Sequence, residues 1–219
     1  MTKTTTRLTW SEFLRIAKHI KAEGDTMFYA VFVMGVFFAL RQGDLLKITW
    51  RDIADEKGNI KPSFKISEQK TKKEREITIS GQGQEILSEL WKKTNTSKLR
   101  KYVFSKHRDR QMSEIWINYN LKKYFEKFGA KYSGNVSSHL FRKTFGRHYW
   151  EENGSSEAAL VKLQLLFGHS DIRKTMRYLG IEREEIAAMY DVVGSLEENP
   201  EKPVSEKKEK EKSTFIAHY

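Results

Sequence analysis

Residues 139–180 read HLFRKTFGRHYWEENGSSEAALVKLQLLFGHSDIRKTMRYLG, the stretch in which His, Arg and Tyr gather most densely. Helical patterns run over about 138–152, 156–166 and 171–178. His139 and Arg142 stand three apart, so on a helix they share a face and can meet one phosphate. Leu160, Leu163, Leu165 and Leu166 make the second helix apolar, and Gly168-His169 mark the turn that ends it. Tyr178 follows on or beside the third helix. Arginines around a phenol lower the cost of phenolate, whose ordinary pKa is about 10. They also offset the charge of a phosphoryl-transfer transition state.

Outward from that stretch, Ser63–Ser67 and Arg75–Ile79 both alternate polar and apolar residues, and the basic link Gln69–Lys73 joins them. This predicts a β-hairpin with a positively charged tip. Met27–Leu40 is an apolar run, too short for the about 20 residues of a bilayer span and apolar all round, so it predicts a buried core helix. Arg41 closes that helix, where an arginine at the edge of a core is costly unless it meets an anion. Asp44, three positions on, is a structural partner for it, and the guanidinium fork can still face a phosphate. Thr9 and Glu12 predict a capping box opening a helix to about Lys21, and further helical patterns cover about 82–93, 113–128 and 182–190. The fold class is mainly α with a small β-hairpin (α+β).

The chain has 219 residues and no cysteine, which excludes a disulfide framework, a thiolate nucleophile and Cys-ligated metal, and fits a cytoplasmic protein. The N-terminus, Met1–Arg7, is polar and carries no secretory pattern. Net charge is +11, and the tail from Glu197 to Tyr219 holds five Lys and six Glu, so the positive excess belongs to the body. A basic body suits a polyanion, most often nucleic acid. Composition shifts near Gly194, which predicts a domain over 1–194 and a disordered charged tail over 195–219. HExxH, GxxxxGK[ST] and GxSxG are all absent from the sequence, and the carboxylates follow no metal-ligand spacing.

The blocks ALRQGDLLKITWRDI (39–53), SEQKTKKEREITIS (67–80), HLFRKTF (139–145) and LFGHSDIRKTMRYLG (166–180) resemble, in order and spacing, the four signature regions of the tyrosine recombinase (phage integrase) family. The resemblance covers about residues 8–190. It implies a catalytic domain of that family in which Arg41, Lys70, His139, Arg142, His169 and the nucleophile Tyr178 form the active site. Tyr178 would attack a DNA phosphodiester to give a 3′-phosphotyrosine, with no metal and no cofactor. Lys70 is the implied general acid, and Lys72, Lys73 and Lys143 are expected on the DNA. Tyr190 has core-like spacing and is not the expected nucleophile. The implied partners are double-stranded recombination sites and further copies of the chain, a tetramer on DNA and a monomer free of it. The segment after Tyr178 would join protomers. The implied place of work is the cytoplasm, on the nucleoid, and no membrane is involved.

The departures are mild. Phe38-Ala39-Leu40-Arg41 stands where the family often has Thr-Gly-Leu-Arg, Phe167-Gly168-His169 where it has Leu-Gly-His, and Lys143 where it often has His. Most relatives carry a DNA-clamping domain first. Here Leu8-Thr9-Trp10 already reads as the catalytic domain's first helix, as expected of an excised domain or a compact member. Three other readings compete. A type IB topoisomerase shares the chemistry, but the Lys-His-Arg spacing and the Gly-His turn favour the integrase branch. An idle DNA-binding module has no use for Tyr178 and two arginines, and a metal-dependent nuclease would be sensitive to EDTA.

Overall fold

Helix α1 (Trp10–Ala22) opens on the expected capping box: Thr9 Oγ1 accepts the Glu12 amide, and the Glu12 carboxylate accepts the Thr9 amide at 2.9 Å. Asp25 caps α2 (Thr26–Phe38) through the Phe28 amide, and burial in α2 runs unbroken from Phe28 to Val36. No face of α2 is left for water, so it forms the centre of the domain. The computed structural model describes residues 7–94, 100–106, 110–129, 136–181 and 187–191.

Two short helices follow, α3 (Gln42–Leu46) and α4 (Trp50–Ile53). Next comes the hairpin, β1 (Ser63–Ser67) and β2 (Glu74–Thr78), antiparallel with Ser67 opposite Glu74. The second strand thus begins one residue earlier than its alternation suggests. The remaining named helices are α5 (Gly81–Thr94), α6 (Glu114–Lys127), α7 (His139–Glu152), α8 (Glu157–Phe167) and α9 (Ile172–Leu179). Helices α1, α5 and α7 pack on α2, and α8 and α9 pack on each other and on α7.

Apolar burial falls into two clusters. The larger gathers α1, α2, the hairpin, α5, α6 and the start of α7, while the smaller holds Ala39, Leu160, Leu163, Phe167, Leu179 and Ile181. Ala39 belongs to the small core and Leu40 to the large one. Arg41 therefore leaves the chain at the seam between them. The approach of α7 to α2 depends on Gly35, because a Cβ there would stand 2.5 Å from the Phe141 ring. Trp10 of α1 stacks on His148 of α7 with centroids 3.7 Å apart.

The chain divides after Ile181 into a large unit and a C-terminal one. In the latter, residues 187–191 are helical and Met189 and Tyr190 are exposed. Tyr190 thus differs from the core-like position its spacing suggests. The expected boundary at 194 and the tail 195–219 lie outside the described residues, as does most of the expected helix over 182–190. Among the described residues, no helix is long and apolar enough to cross a membrane.

Candidate active site

Arg41 is not on the apolar helix. That helix ends at Phe38, and Ala39 takes a left-handed conformation at φ 48, leaving Arg41 extended as the cap of α3. A left-handed residue is least strained as glycine, the residue the family often has at that place. The guanidinium does not pair with Asp44. Its Nη1 meets Glu68 Oε2 at 2.7 Å and its Nη2 donates to the Phe167 carbonyl at 3.2 Å. Asp44 is instead taken by Lys47 at 2.9 Å and by the Gln69 amide at 2.8 Å.

Arg142, one turn into α7, is buried, and its Nη2 also points to the Phe167 carbonyl, at 3.4 Å. Its Nη1 is buried without a hydrogen-bond partner among the described residues. Burial first, with Arg41 adding to it, pulls the Arg142 pKa down to about 10. Two guanidinium groups thus converge on one carbonyl at the C-terminal end of α8, where the helix dipole is negative. Gly168 caps that helix in the left-handed region at φ 65. The turn delivers His169, whose Nδ1 lies 3.0 Å from Thr175 Oγ1. Thr175 is fully buried and sits three residues before Tyr178. Sequence reasoning missed it; the i, i+3 spacing to Tyr178 was its only signal.

The start of α7 is pinned from two sides. The Ser138 amide donates to Asn118 Oδ1 of α6 at 3.1 Å, and the Ser138 hydroxyl bonds Gln42 of α3. His139 follows, open to solvent over part of its surface and desolvated over the rest. Tyr178 lies across it: its hydroxyl is 3.4 Å from the His139 carbonyl, and its ring meets those of Phe167 and His169 edge-on, centroids 5.6 and 5.5 Å away. Burial pushes the Tyr178 pKa above its ordinary 10, while Arg142 and then Arg41 pull it down. The arginines act in the expected direction, but burial outweighs them. His139 and His169 are both lowered, by burial first and then by Arg142, with Lys143 adding at His139 and Arg41 at His169. Both shifts favour the uncharged imidazole, the form that can accept a proton.

Five of the six expected residues are therefore gathered at the seam. Lys70 is exposed on the hairpin tip, with Lys72 and Lys73 exposed beside it. The tip lies against the site, because a Cβ on Gly168 would be 3.6 Å from the Thr71 methyl. Lys143 departs from expectation. It is only 6% exposed and its Nζ stands 5.5 Å over the Tyr178 ring, so it lies buried against the phenol rather than on the open surface. Among the described residues, no three His, Asp or Glu side chains converge to hold a metal ion.

A sequence model described as the phage integrase family matches residues 6–185. The chain belongs to that family, the tyrosine-type site-specific recombinases. It is 30% identical over 168 residues to the probable integrase/recombinase YoeC of Bacillus subtilis strain 168, covering 77% of this chain and 85% of the relative. Its fold resembles that of XerA recombinase, with a TM-score of 0.64, 19% identity, 89% of this chain and 67% of that one covered. It also resembles lambda integrase, solved as a dimer bound to a COC′ core site, with a TM-score of 0.62, 19% identity, 82% of this chain and 49% of that one. The chain thus spans about half the length of that integrase.

Proposed function

We propose that this chain breaks and rejoins double-stranded DNA at a specific site through a 3′-phosphotyrosine on Tyr178. The observation that supports this best is the pair of guanidinium groups converging beside a phenol, with one buried Arg142 nitrogen lacking a partner among the described residues. A scissile phosphate supplies that partner. Arg41 and Arg142 hold its non-bridging oxygens and neutralise the charge that grows on them in the transition state. The Tyr178 oxygen attacks phosphorus, and its proton passes to an uncharged imidazole, that of His139. The bond to the 5′ oxygen breaks, and Lys70 supplies the proton that oxygen needs. His169 donates from Nε2 to the phosphate while Nδ1 accepts from Thr175. The covalent link conserves the bond energy, so a second 5′-hydroxyl reverses the step without ATP.

The catalytic unit extends to residue 194, followed by the charged tail 195–219. The chain works in the cytoplasm on nucleoid DNA, as a tetramer on paired sites and a monomer without them. Lys72 and Lys73 touch the DNA backbone from the hairpin tip.

The test uses nicked duplexes with a randomised core, from which cleavage strands the protein as a covalent adduct. Wild-type chain should capture a subset of them, in EDTA, with the adduct on the peptide that holds Tyr178. An adduct on Tyr190, or cleavage that needs a metal and leaves no adduct, would overturn the reading.

A further inference from the structure

Glu68 has no part in the reaction just described, yet it is a buried carboxylate between two arginines, 5% exposed. Its Oε2 meets Arg41 at 2.7 Å and accepts the Thr71 hydroxyl at 2.9 Å, while Oε1 faces Arg75 at 3.7 Å. Its backbone closes the hairpin tip: the amide donates to the Lys73 carbonyl at 3.0 Å, and the carbonyl accepts the Lys72 amide at 2.9 Å. Lys70 lies inside that loop. Lys72, at its far side, holds a left-handed φ of 57, so the loop is a tight turn with a residue in a costly conformation. Arg75 in turn donates to the Phe38 carbonyl at 3.1 Å, tying the same cluster to the end of α2.

Such a carboxylate is expensive to bury, and because Oε1 makes no hydrogen bond among the described residues, the bonds at Oε2 to Arg41 and Thr71 carry the anchoring. Here it joins an arginine proposed to hold the phosphate to the loop proposed to carry the general acid. We propose that Glu68 is a positioning residue, which docks the hairpin tip on Arg41 and so sets the reach of Lys70 to the leaving 5′ oxygen. This rests on the function proposed above. It also separates two effects of Glu68: its charge opposes phosphate binding at Arg41, whereas its bonds order the loop. Removing the charge should leave DNA binding equal or tighter and slow the chemistry, a split that a merely structural role does not produce.

The test compares Glu68→Gln, Glu68→Asp and Thr71→Val in the full chain. The probe is a nicked duplex captured by the wild-type chain, made with either oxygen or sulfur at the 5′ bridging position. Sulfur leaves without a proton and so bypasses the general acid. Glu68→Gln should cleave the oxygen substrate roughly tenfold or more slowly, the scale of a misplaced catalytic group. It should match wild type on sulfur and bind DNA no more weakly. Glu68→Asp should recover part of the rate, and Thr71→Val should show the same pattern more weakly. Hydrogen exchange at the Gln69 and Lys72 amides, measured without DNA, should quicken in both Glu68→Gln and Thr71→Val.

Wild-type rates on oxygen, or a deficit that sulfur does not restore, would overturn the proposal. If Glu68→Gln fails to fold, Thr71→Val decides on the same two substrates. If the wild-type chain captures no duplex, the proposed function fails instead, and hydrogen exchange alone decides the docking role. Unchanged exchange would then overturn it.

Discussion

The Phe167 carbonyl receives both Arg41 and Arg142, at 3.2 and 3.4 Å; Glu68 offsets the charge of Arg41, whereas Arg142 meets only that partial negative charge among the contacts described. The buried Arg142 nitrogen, without a partner among the described residues, costs about 1–3 kcal/mol of desolvation, an expense that the proposed phosphate would remove. The same two cations set the histidines. His139 and His169 have folded pKa values below the ordinary 6.5, through burial and neighbouring positive charge. On acidification the unfolded chain therefore takes up protons first. The stability these groups contribute is full above about pH 6.5 and is lost as pH falls through their lowered folded values. Urea midpoints should accordingly fall with pH below about 6.5, and a chain carrying His139→Gln and His169→Gln should lose part of that slope. An unchanged slope would show that neither imidazole is held uncharged by its surroundings.

Among the elements, α2 and α7 matter most, since α7 carries His139 and Arg142 and rests on α2 at Gly35. Gly35→Ala would drive a Cβ into the Phe141 ring at 2.5 Å. Overpacking of this kind costs about 1–3 kcal/mol, so urea denaturation should show a loss of that order, and cleavage should fall with it because α7 shifts. An unchanged midpoint would mean that the two helices do not approach so closely. Short-range relations at this scale were legible in the sequence. The Thr9–Glu12 box, the alternation of the hairpin, the unbroken apolar run of α2 and the Gly168 stop each follow from neighbours a few residues apart. Long-range pairing was not. Arg41 meets Glu68, 27 positions away, rather than Asp44, and nothing in local spacing separates those two carboxylates. Lys143 reads as one more surface cation until the fold buries it over Tyr178. Helices α3 and α4, of five and four residues, are too short to show a period.

For the whole molecule, the body carries the positive charge and the tail carries none of it in net terms. Ile181 is 1% exposed and closes the small core, whereas the chain divides immediately after it. Deleting 182–219 should therefore leave a folded unit that still binds a single DNA site. It should lose assembly on DNA bearing paired sites, where local concentration otherwise offsets the entropy of association. Native gels and light scattering on such DNA would check this, and unchanged assembly would remove any role for the segment between protomers. The central claim is that Tyr178 is the atom source of a covalent protein–DNA bond made inside the arginine pair. Its most direct measurement is covalent adduct on a nicked duplex captured by the wild-type chain, compared with Tyr178→Phe at matched DNA occupancy. The account predicts undiminished binding and no adduct in the phenylalanine variant; adduct that persists at the wild-type level would contradict it.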